Sequence, residues 1–474
     1  MSALTDKKTA FDLRTTFPSR VSIIGAARSG IAAAEYFIKK GVPLFISDSC
    51  PAEKLEKILS DKKLEKVPHE SGGHTGQALE SGLVVLSPGV PSDLPIVLEA
   101  KKRNIPVWSE MELGFRASDA TFLAVTGSTG KSTTVSFLGE ALKAGGRESV
   151  VAGNIGIPVI SVVAGISKNG WVAAEVSSFQ LENIECFRPK GAAVLNLMKN
   201  HLDRYRSEED YYGAKKEIAR HFTNDNYLVL NLHDDKLVAW ADMMKKRASV
   251  IFFGSQPGAG ESFWYDESAG KIRYRFGGKQ GTILDVSDMK IGGRHNFENA
   301  AAAAALAKLA DIDDAAIGSG IARFGGLPHR LEFAGEVRGV RFYNDSKSTT
   351  AESILVAVSA FAAKVHLIAG GRDKGCDFSV VLPALRKHAA GIFLIGEAAG
   401  RMQAEWEGAV PLRRSATLEE AVAAAARSAR RGEVVVFSPG CSSFDMFANY
   451  EERGNRFKQV VSELASLAAG KASL

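Results

Sequence analysis

Short apolar runs rich in β-branched residues alternate with helix-compatible stretches along the whole chain. RVSIIG from Arg20, PLFIS from Pro43 and LVVLSPG from Leu83 read as buried strands. FLAVTG from Phe122, WVAAEVSS from Trp171, AAVLNL from Ala192, YLVLNL from Tyr227 and SVIFFG from Ser249 repeat the pattern. VRFYNDS from Val340, VHLIAGG from Val365, IFLIG from Ile392 and EVVVFSPG from Glu433 repeat it again. These runs are continuous, without in–out alternation, so both sheet faces are covered, as in parallel sheets flanked by helices. The class is α/β with three domains, each a mostly parallel sheet with flanking helices. Breaks near Arg116–Ala120, after a polar helix, and near Phe324–Pro328 place the domains at 1–118, 119–326 and 327–474. Glycine-rich, strand-like fragments over Gly254–Gly293 predict an antiparallel β insertion in the second domain. The run Ala300–Ala305 predicts a helix whose small side chains permit close packing.

Composition narrows the class of function. The 474 residues are 45% hydrophobic and 24% charged, an ordinary globular balance, with a net charge of only +5. No block of five or six like charges occurs, which argues against a nucleic-acid arm or a polybasic membrane anchor. The runs Lys101–Arg103 and Lys245–Arg247 read as solvated helix faces. Four cysteines form no C-x-x-C pair, so neither a disulfide framework nor a zinc knuckle is expected. With no signal-like N-terminal run and no apolar stretch of about 18 residues, a cytoplasmic protein is expected.

The strongest local signal is Gly127-Ser128-Thr129-Gly130-Lys131-Ser132-Thr133, after a strand and before a helix. Such a loop wraps backbone N–H groups around phosphates. Its lysine reaches the β/γ-phosphates and its serine hydroxyl a Mg²⁺ ion. Valine stands at 125 where the longer P-loop pattern has glycine. A plain turn with a helix cap is the bland alternative. Gly25-Ala26-Ala27-Arg28-Ser29-Gly30 has the outline of a dinucleotide fingerprint with its middle glycine replaced, and Asp48 ends the next strand. A nucleotide diphosphate or an empty β–α turn both fit.

Polar residues at strand ends form a second layer of candidates, because ligands gather beyond the carboxyl ends of parallel strands. Glu175 suits a Mg²⁺ ion beside a phosphate. Asn196, His201 and Lys215 each admit a bland reading as a cap, a surface histidine and a solvated helix lysine. Arg330, at the expected hinge, is of the type that swings onto a γ-phosphate or sits in a structural ion pair.

Taken in order, GSTGKST, GNIG (153–156), EVSSFQLE (175–182), the stretch from Asn196 to Asp203, YYGAKKEI (211–218), H-N-x-x-N (295–299) and GLPHR (326–330) resemble the ATP-dependent Mur ligase family. The match spans all three expected domains, which then correspond to a Rossmann-like N-terminal domain, a P-loop ATPase-like central domain and a Rossmann-like C-terminal domain. NDSKST (344–349), GGRDKG (370–375) and SPGCSSFDMFANYEERG (438–454) are similar to the glutamate-adding branch.

The resemblance implies ATP, two Mg²⁺ ions and a carbamylated Lys215, with UDP-N-acetylmuramoyl-L-alanine and D-glutamate as substrates of a monomeric enzyme. It implies that Gly127–Thr133, Asn296, Asn299, Arg330 and Asp345 bind ATP, and that Ser132, Glu175, His201 and Lys215 hold metal. Lys131, Glu175, His201, Lys215 and Arg330 would be catalytic. Arg28, Ser29, Asp48, Ser49, Ser87, Pro88, Gly89, Asn154 and Ser177 would bind the UDP substrate. Lys347, Thr349, Lys374, Ser443 and Phe444 would surround the incoming glutamate. Alternatives are a folylpolyglutamate synthetase-like glutamate ligase, an L-glutamate-adding variant, an NAD(P)-dependent oxidoreductase and a nucleotide-binding scaffold without turnover. Ala27 and the intact GSTGKST disfavour the oxidoreductase, and the N-terminal Rossmann-like unit disfavours the folate branch.

Overall fold

The computed structural model describes residues 13–200, 204–373 and 375–470. Where the chain carries an uninterrupted apolar run, it forms a strand buried on both faces. Val21–Ile24, Leu83–Leu86 and Val434–Phe437 are buried at every position. The first sheet contains β1 (Val21–Ile24), β2 (Leu44–Ser47), β3 (His69–Glu70), β4 (Leu83–Leu86) and β5 (Val107–Ser109). Its order is β3-β2-β1-β4-β5, all parallel. The order reverses between β1 and β4, so the turns after these two strands face one crevice, the usual ligand position in an open α/β sheet.

The second sheet contains β6 (Thr121–Thr126), β7 (Ser149–Gly153), β8 (Trp171–Glu175), β9 (Gly191–Val194), β10 (Tyr227–Asn231), β11 (Ser249–Gly254), β12 (Ser262–Asp266), β13 (Lys271–Phe276) and β14 (Lys279–Asp285). Its order is β14-β13-β12-β11-β10-β9-β6-β8-β7. The insertion is antiparallel only in its β12–β13 and β13–β14 pairs, while β12 adds to β11 in parallel and so extends the main sheet. In the helix Arg294–Lys308, every alanine from Ala300 to Ala305 is fully buried, in one core with Phe137, Leu138 and Ala141 of the helix Lys131–Ala144.

The polar-looking segment before β6 is the helix Glu110–Arg116, and its charges face inward. Glu112 is fully buried because three backbone N–H groups, of Glu185, Cys186 and Phe187, donate to it at 2.8–3.0 Å and Arg116 pairs with it at 2.6 Å. A buried carboxylate is tolerated when its lone pairs are satisfied in this way. The expected solvated runs Lys101–Arg103 and Lys245–Arg247 are exposed.

The first two sheets belong to one compact unit that ends at Phe324, and the second unit begins at Gly325. That unit carries β15 (Glu332–Val337), β16 (Val340–Asn344), β17 (Val365–Gly370), β18 (Ala389–Ile395), β19 (Leu412–Arg414) and β20 (Val434–Phe437). The order is β15-β16-β20-β17-β18-β19, parallel except for the β15–β16 hairpin. Among the described residues no helix is long and apolar enough to cross a membrane.

Candidate functional site

Sheet order builds the site in the first unit. β6 lies between β9 and β8, with Val125 paired to Glu175 and Thr126 paired to Val194. Three strand exits therefore meet: the glycine loop after β6, Glu175 at the end of β8, and Asn196 just past β9. The loop depends on its glycines. Gly130 has a φ of +82°, and a Cβ there would lie 2.7 Å from the Asn299 Oδ1. The helix Lys131–Ala144 then starts with no acidic residue in its first turn and no side-chain cap on its N–H groups. Its positive end faces the loop, the arrangement that receives phosphates.

Asn196 is the organiser of this loop. Its Oδ1 accepts from the N–H groups of Ser128 and Thr129 at 3.0 and 2.9 Å, and its Nδ2 donates to the Thr129 carbonyl at 3.3 Å. Ser128 Oγ adds a bond to the Met198 carbonyl at 2.9 Å. The bland cap reading of Asn196 is thus replaced by a loop-shaping role. Asn196→Ala is expected to weaken ATP binding by about tenfold, since the Thr129 N–H loses its acceptor and the Ser128 N–H keeps only the backbone carbonyl of residue 196, at 3.1 Å. Calorimetric titration with ATP checks this.

Two lysines converge on one carbonyl. Lys131 Nζ donates to the Gly127 and Ser128 carbonyls at 2.8 and 3.1 Å, and Lys215 Nζ donates to Gly127 O at 2.9 Å. Lys215 is 2% exposed, with the Tyr211 ring centroid 4.5 Å from its Nζ, so it is not a solvated helix lysine. Burial, with the Lys131 charge beside it and only Glu175 opposing, lowers its pKa to about 6. At neutral pH it is a free amine, which is a nucleophile. Glu175, 2% exposed, accepts from Ser132 Oγ at 2.6 Å and from Asn154 Nδ2 at 2.7 Å.

A depressed lysine pKa is also a stability statement. The unfolded chain holds the Lys215 proton up to about pH 10, whereas the folded chain releases it near 6. Between these values the unfolded state binds more protons, so stability rises with pH, and below about 6 the full burial penalty remains. In CO₂-depleted buffer, Lys215→Met is expected to raise the melting temperature at pH 7 by several degrees, with the gain shrinking toward pH 10. Calorimetry at the two pH values checks the sign.

A second cluster in the first unit lies at the β1–β4 crevice. Gly30 packs so closely that a Cβ there would sit 1.9 Å from the Gly25 carbonyl, and Ser87 Oγ donates to that carbonyl at 2.7 Å. Asp48 accepts from the N–H groups of Ala26 (2.6 Å) and Cys50 (2.8 Å). Burial alone would raise its pKa, but these two N–H groups hold it below the usual carboxylate range. Arg28 donates to the Gly156 carbonyl, Ser29 is half-buried, and Ser49 is exposed. Pro88 O and Val90 O accept from Arg204 at 2.8 and 3.0 Å, fixing the Ser87-Pro88-Gly89 turn. The Arg204 guanidinium also stacks on Phe179 at 4.1 Å. Ser177 caps the short helix Ser178–Leu181 in a capping box with Gln180, so its hydroxyl is engaged locally.

The chain matches three family descriptions: Mur ligase MurD-like N-terminal domain over residues 19–109, Mur ligase middle domain over 125–307, and Mur ligase glutamate ligase domain over 329–441. It is 40% identical over 447 residues to the UDP-N-acetylmuramoylalanine–D-glutamate ligase of Geotalea daltonii, covering 94% of this chain and 98% of that one. With the enzyme of the same name from Acidobacterium capsulatum it shares 38% identity over 445 residues, 93% of this chain and 96% of the other. The chain belongs to the Mur ligase family. Its fold is that of the solved UDP-N-acetylmuramate-alanine ligase MurC of Thermotoga maritima, with a TM-score of 0.58, 18% identity and coverage of 94% and 99% of the two chains. The MurF ligase of the same organism, solved with ADP, matches with a TM-score of 0.56, 16% identity and coverage of 95% and 98%. This Mur ligase is an ATP-dependent, ADP-forming ligase.

In this Mur ligase the fold gathers Gly127–Thr133, Asn154, Glu175, Lys215 and Asn299 around one loop, and Arg28, Asp48 and Ser87 around the β1 turn. Asn296 opens the same helix as Asn299, its Nδ2 donating to the Gly292 carbonyl at 2.8 Å. His201 and Lys374 lie outside the described residues. In the second unit, Asp345 is buried and accepts from Leu331 N (3.2 Å), Ser438 Oγ (2.8 Å) and Ser348 Oγ. Burial raises its pKa despite these donors. Arg330 is exposed between His329 and Leu331, whose φ values of +62° and +41° are strained for non-glycine residues. Lys347 and Thr349 are half-buried, Ser443 is 3% exposed and Phe444 is 61% exposed. Sequence reasoning missed the Tyr211 ring and Arg204. Tyr211 opens the YYGAKKEI motif and Arg204 directly follows the Asn196–Asp203 stretch, but only the fold shows what they touch.

The donor set fits Mg²⁺. Among the described residues no three or more His, Cys, Asp or Glu side chains form a cage, but Mg²⁺ is usually held by one or two carboxylates together with phosphate oxygens and water. Ser132 Oγ and Glu175, hydrogen-bonded to each other at the mouth of a phosphate loop, are oxygen donors of that kind.

Proposed function

We propose that this Mur ligase joins D-glutamate to the alanyl carboxylate of UDP-N-acetylmuramoyl-L-alanine, in peptidoglycan precursor synthesis. The observation that carries the reading is the convergence of Lys131, Ser132, Glu175 and Lys215 on the loop after β6, in a chain whose near-full-length relatives bear that ligase's name. Residues 1–118 take the UDP portion through Arg28, Ser29, Asp48, Ser49 and the Ser87–Gly89 turn, with Asn154 and Ser177 at the muramoyl-alanine end. Residues 119–326 take ATP through the glycine loop, Asn296 and Asn299. Residues 327–474 take glutamate through Lys347, Thr349, Lys374, Ser443 and Phe444. The resemblance alone supports ATP contacts for Arg330 and Asp345 and a metal role for His201.

The chemistry follows from charge. A carboxylate oxygen attacks the γ-phosphorus, the bond to the ADP oxygen breaks, and an acyl phosphate forms. The glutamate amine, as free base, attacks the acyl carbon, phosphate leaves, and the amine proton passes to solvent. The first step brings two anions together, a repulsion of about 4 kcal/mol for unit charges 4 Å apart at an effective dielectric of 20. Lys131 supplies one positive charge against it, and bound Mg²⁺ would supply more by coordinating phosphate oxygens.

Lys215 contributes through its neutral amine. Attack on CO₂ forms an N–C bond and releases the amine proton, giving a carbamate whose oxygens are hard donors suited to Mg²⁺. The buried amine with its pKa of about 6 is already in the reactive form. The test is phosphate release with ATP and UDP-N-acetylmuramoyl-L-alanine, comparing D-glutamate, L-glutamate and no amino acid. Release with D-glutamate alone is expected. Rapid release without an amino acid, or equal release with both enantiomers, contradicts the reading.

A further inference from the structure

We propose that Arg453 is the positioning residue of the amino-acid pocket, its guanidinium clamping together the loops that leave the carboxyl ends of β16 and β20, against which the loop after β17 closes. The proposal rests on the glutamate-binding reading of the second unit. Arg453 lies in the helix Tyr450–Gly470 and is 1% exposed. Its Nε donates to Ser346 Oγ at 3.0 Å, and its Nη2 donates to the Ser346 carbonyl at 2.8 Å and the Cys441 carbonyl at 3.1 Å. One planar fork thus ties the loop after β16 to the loop after β20. Ser346 Oγ passes the constraint on by donating to the Tyr450 carbonyl at 2.9 Å.

The third loop closes against the other two. Arg372 and Ser442 exchange backbone hydrogen bonds at 2.9 and 3.0 Å, and Ser442 Oγ donates to the Arg372 carbonyl at 2.9 Å. Gly371 approaches so closely that a Cβ there would lie 2.4 Å from Ser442 O and 3.1 Å from Arg453 Nη1. Nη1 is buried with no hydrogen-bond partner among the described residues. A buried guanidinium with one nitrogen unsatisfied is costly to stability. Nearby opposite charge comes from Asp445, and the Arg453 pKa, lowered by burial to about 10, leaves it a cation at neutral pH.

The clamped loops carry the residues assigned to glutamate: Lys347 follows Ser346 directly, Thr349 lies three residues on, and Ser443 and Phe444 follow the Cys441–Ser442 pair. Lysine at 453 keeps the charge but has a single nitrogen, so it cannot bridge Ser346 and Cys441 as the fork does. The loops then drift apart, and the cost falls on the amino-acid substrate.

The experiment is steady-state kinetics of the full chain and of Arg453→Lys and Arg453→Met, with melting curves for each. The wild type is first shown to release phosphate in response to D-glutamate, and failure there sinks the functional reading rather than the clamp. In folded variants the D-glutamate KM is expected to rise about tenfold or more, while the KM for the UDP substrate stays within about twofold and that for ATP rises less than that for D-glutamate, because Asp345 is also held by Leu331 N and Ser438 Oγ. Arg453→Lys keeps the buried charge and decides the matter if the Met variant does not fold. An unchanged D-glutamate KM, a parallel rise in all three KM values, or loss of the fold in both variants overturns the proposal.

Discussion

Lys215→Arg is expected to lower turnover by about three orders of magnitude and the melting temperature by a few degrees, because the permanent cation keeps the burial penalty that the neutral amine avoids, with ATP binding largely retained in the folded variant. Arginine keeps a positive charge and a long side chain but stays protonated at every accessible pH, so it cannot form a carbamate. It also places a permanent cation beside Lys131, where the wild-type amine is neutral because burial and the Lys131 charge lower its pKa to about 6. The loss therefore falls on the chemical step. Two measurements separate this from misfolding: ATP titration of the variant, and the response of the wild type to CO₂. Wild-type activity is expected to fall in CO₂-depleted buffer and to return on adding bicarbonate, with no such response from the Arg variant. A fully active Arg variant removes the carbamate from the account.

Lys131→Met carries the second-largest expected effect. The Lys131 ammonium is held over the loop by the Gly127 and Ser128 carbonyls, at the positive end of a 14-residue helix. Removing it deletes one full charge from the place where two anions must approach. At an effective dielectric of 20 and 4 Å separation that charge is worth about 4 kcal/mol, close to a 10³-fold loss in kcat/KM. The pKa of Lys215 moves too, because a neighbouring cation has gone. It is expected to rise from about 6, shifting the pH at which the amine deprotonates upward. A pH titration of carbamate formation, read by ¹³C NMR with labelled bicarbonate, checks that coupling independently of turnover.

Most of the strands that were legible in the sequence are buried on both faces, where the apolar run is unbroken. β1, β4, β8 and β20 are of this kind. β16, read as such a run, instead leaves Arg341 exposed. β7 is half-buried at most positions, and β3 and β19 are edge strands of two and three residues, so none carries the signal. The glycine loop was legible because its spacing is local. The role of Asn196 was not, since it depends on β9 lying beside β6 from nearly 70 residues away. The segment EMELGFR reads as a polar helix and is one, but the burial of its charges was not legible. The backbone donors that let Glu112 stay buried come from residues 185–187. Arg453 is hidden for the same reason: its partners, Ser346 and Cys441, are distant in sequence and mostly backbone carbonyls.

Oxygen transfer tests most directly whether this cluster draws a carboxylate against a phosphorus. UDP-N-acetylmuramoyl-L-alanine labelled with ¹⁸O in its alanyl carboxylate is incubated with the ligase, ATP and D-glutamate, and the released phosphate is examined by mass spectrometry. One ¹⁸O atom per phosphate is predicted, because the attacking oxygen leaves with the phosphoryl group when the amine takes its place on the acyl carbon. Phosphate carrying only oxygen from ATP and water, with both labels left on the sugar-peptide substrate, contradicts it.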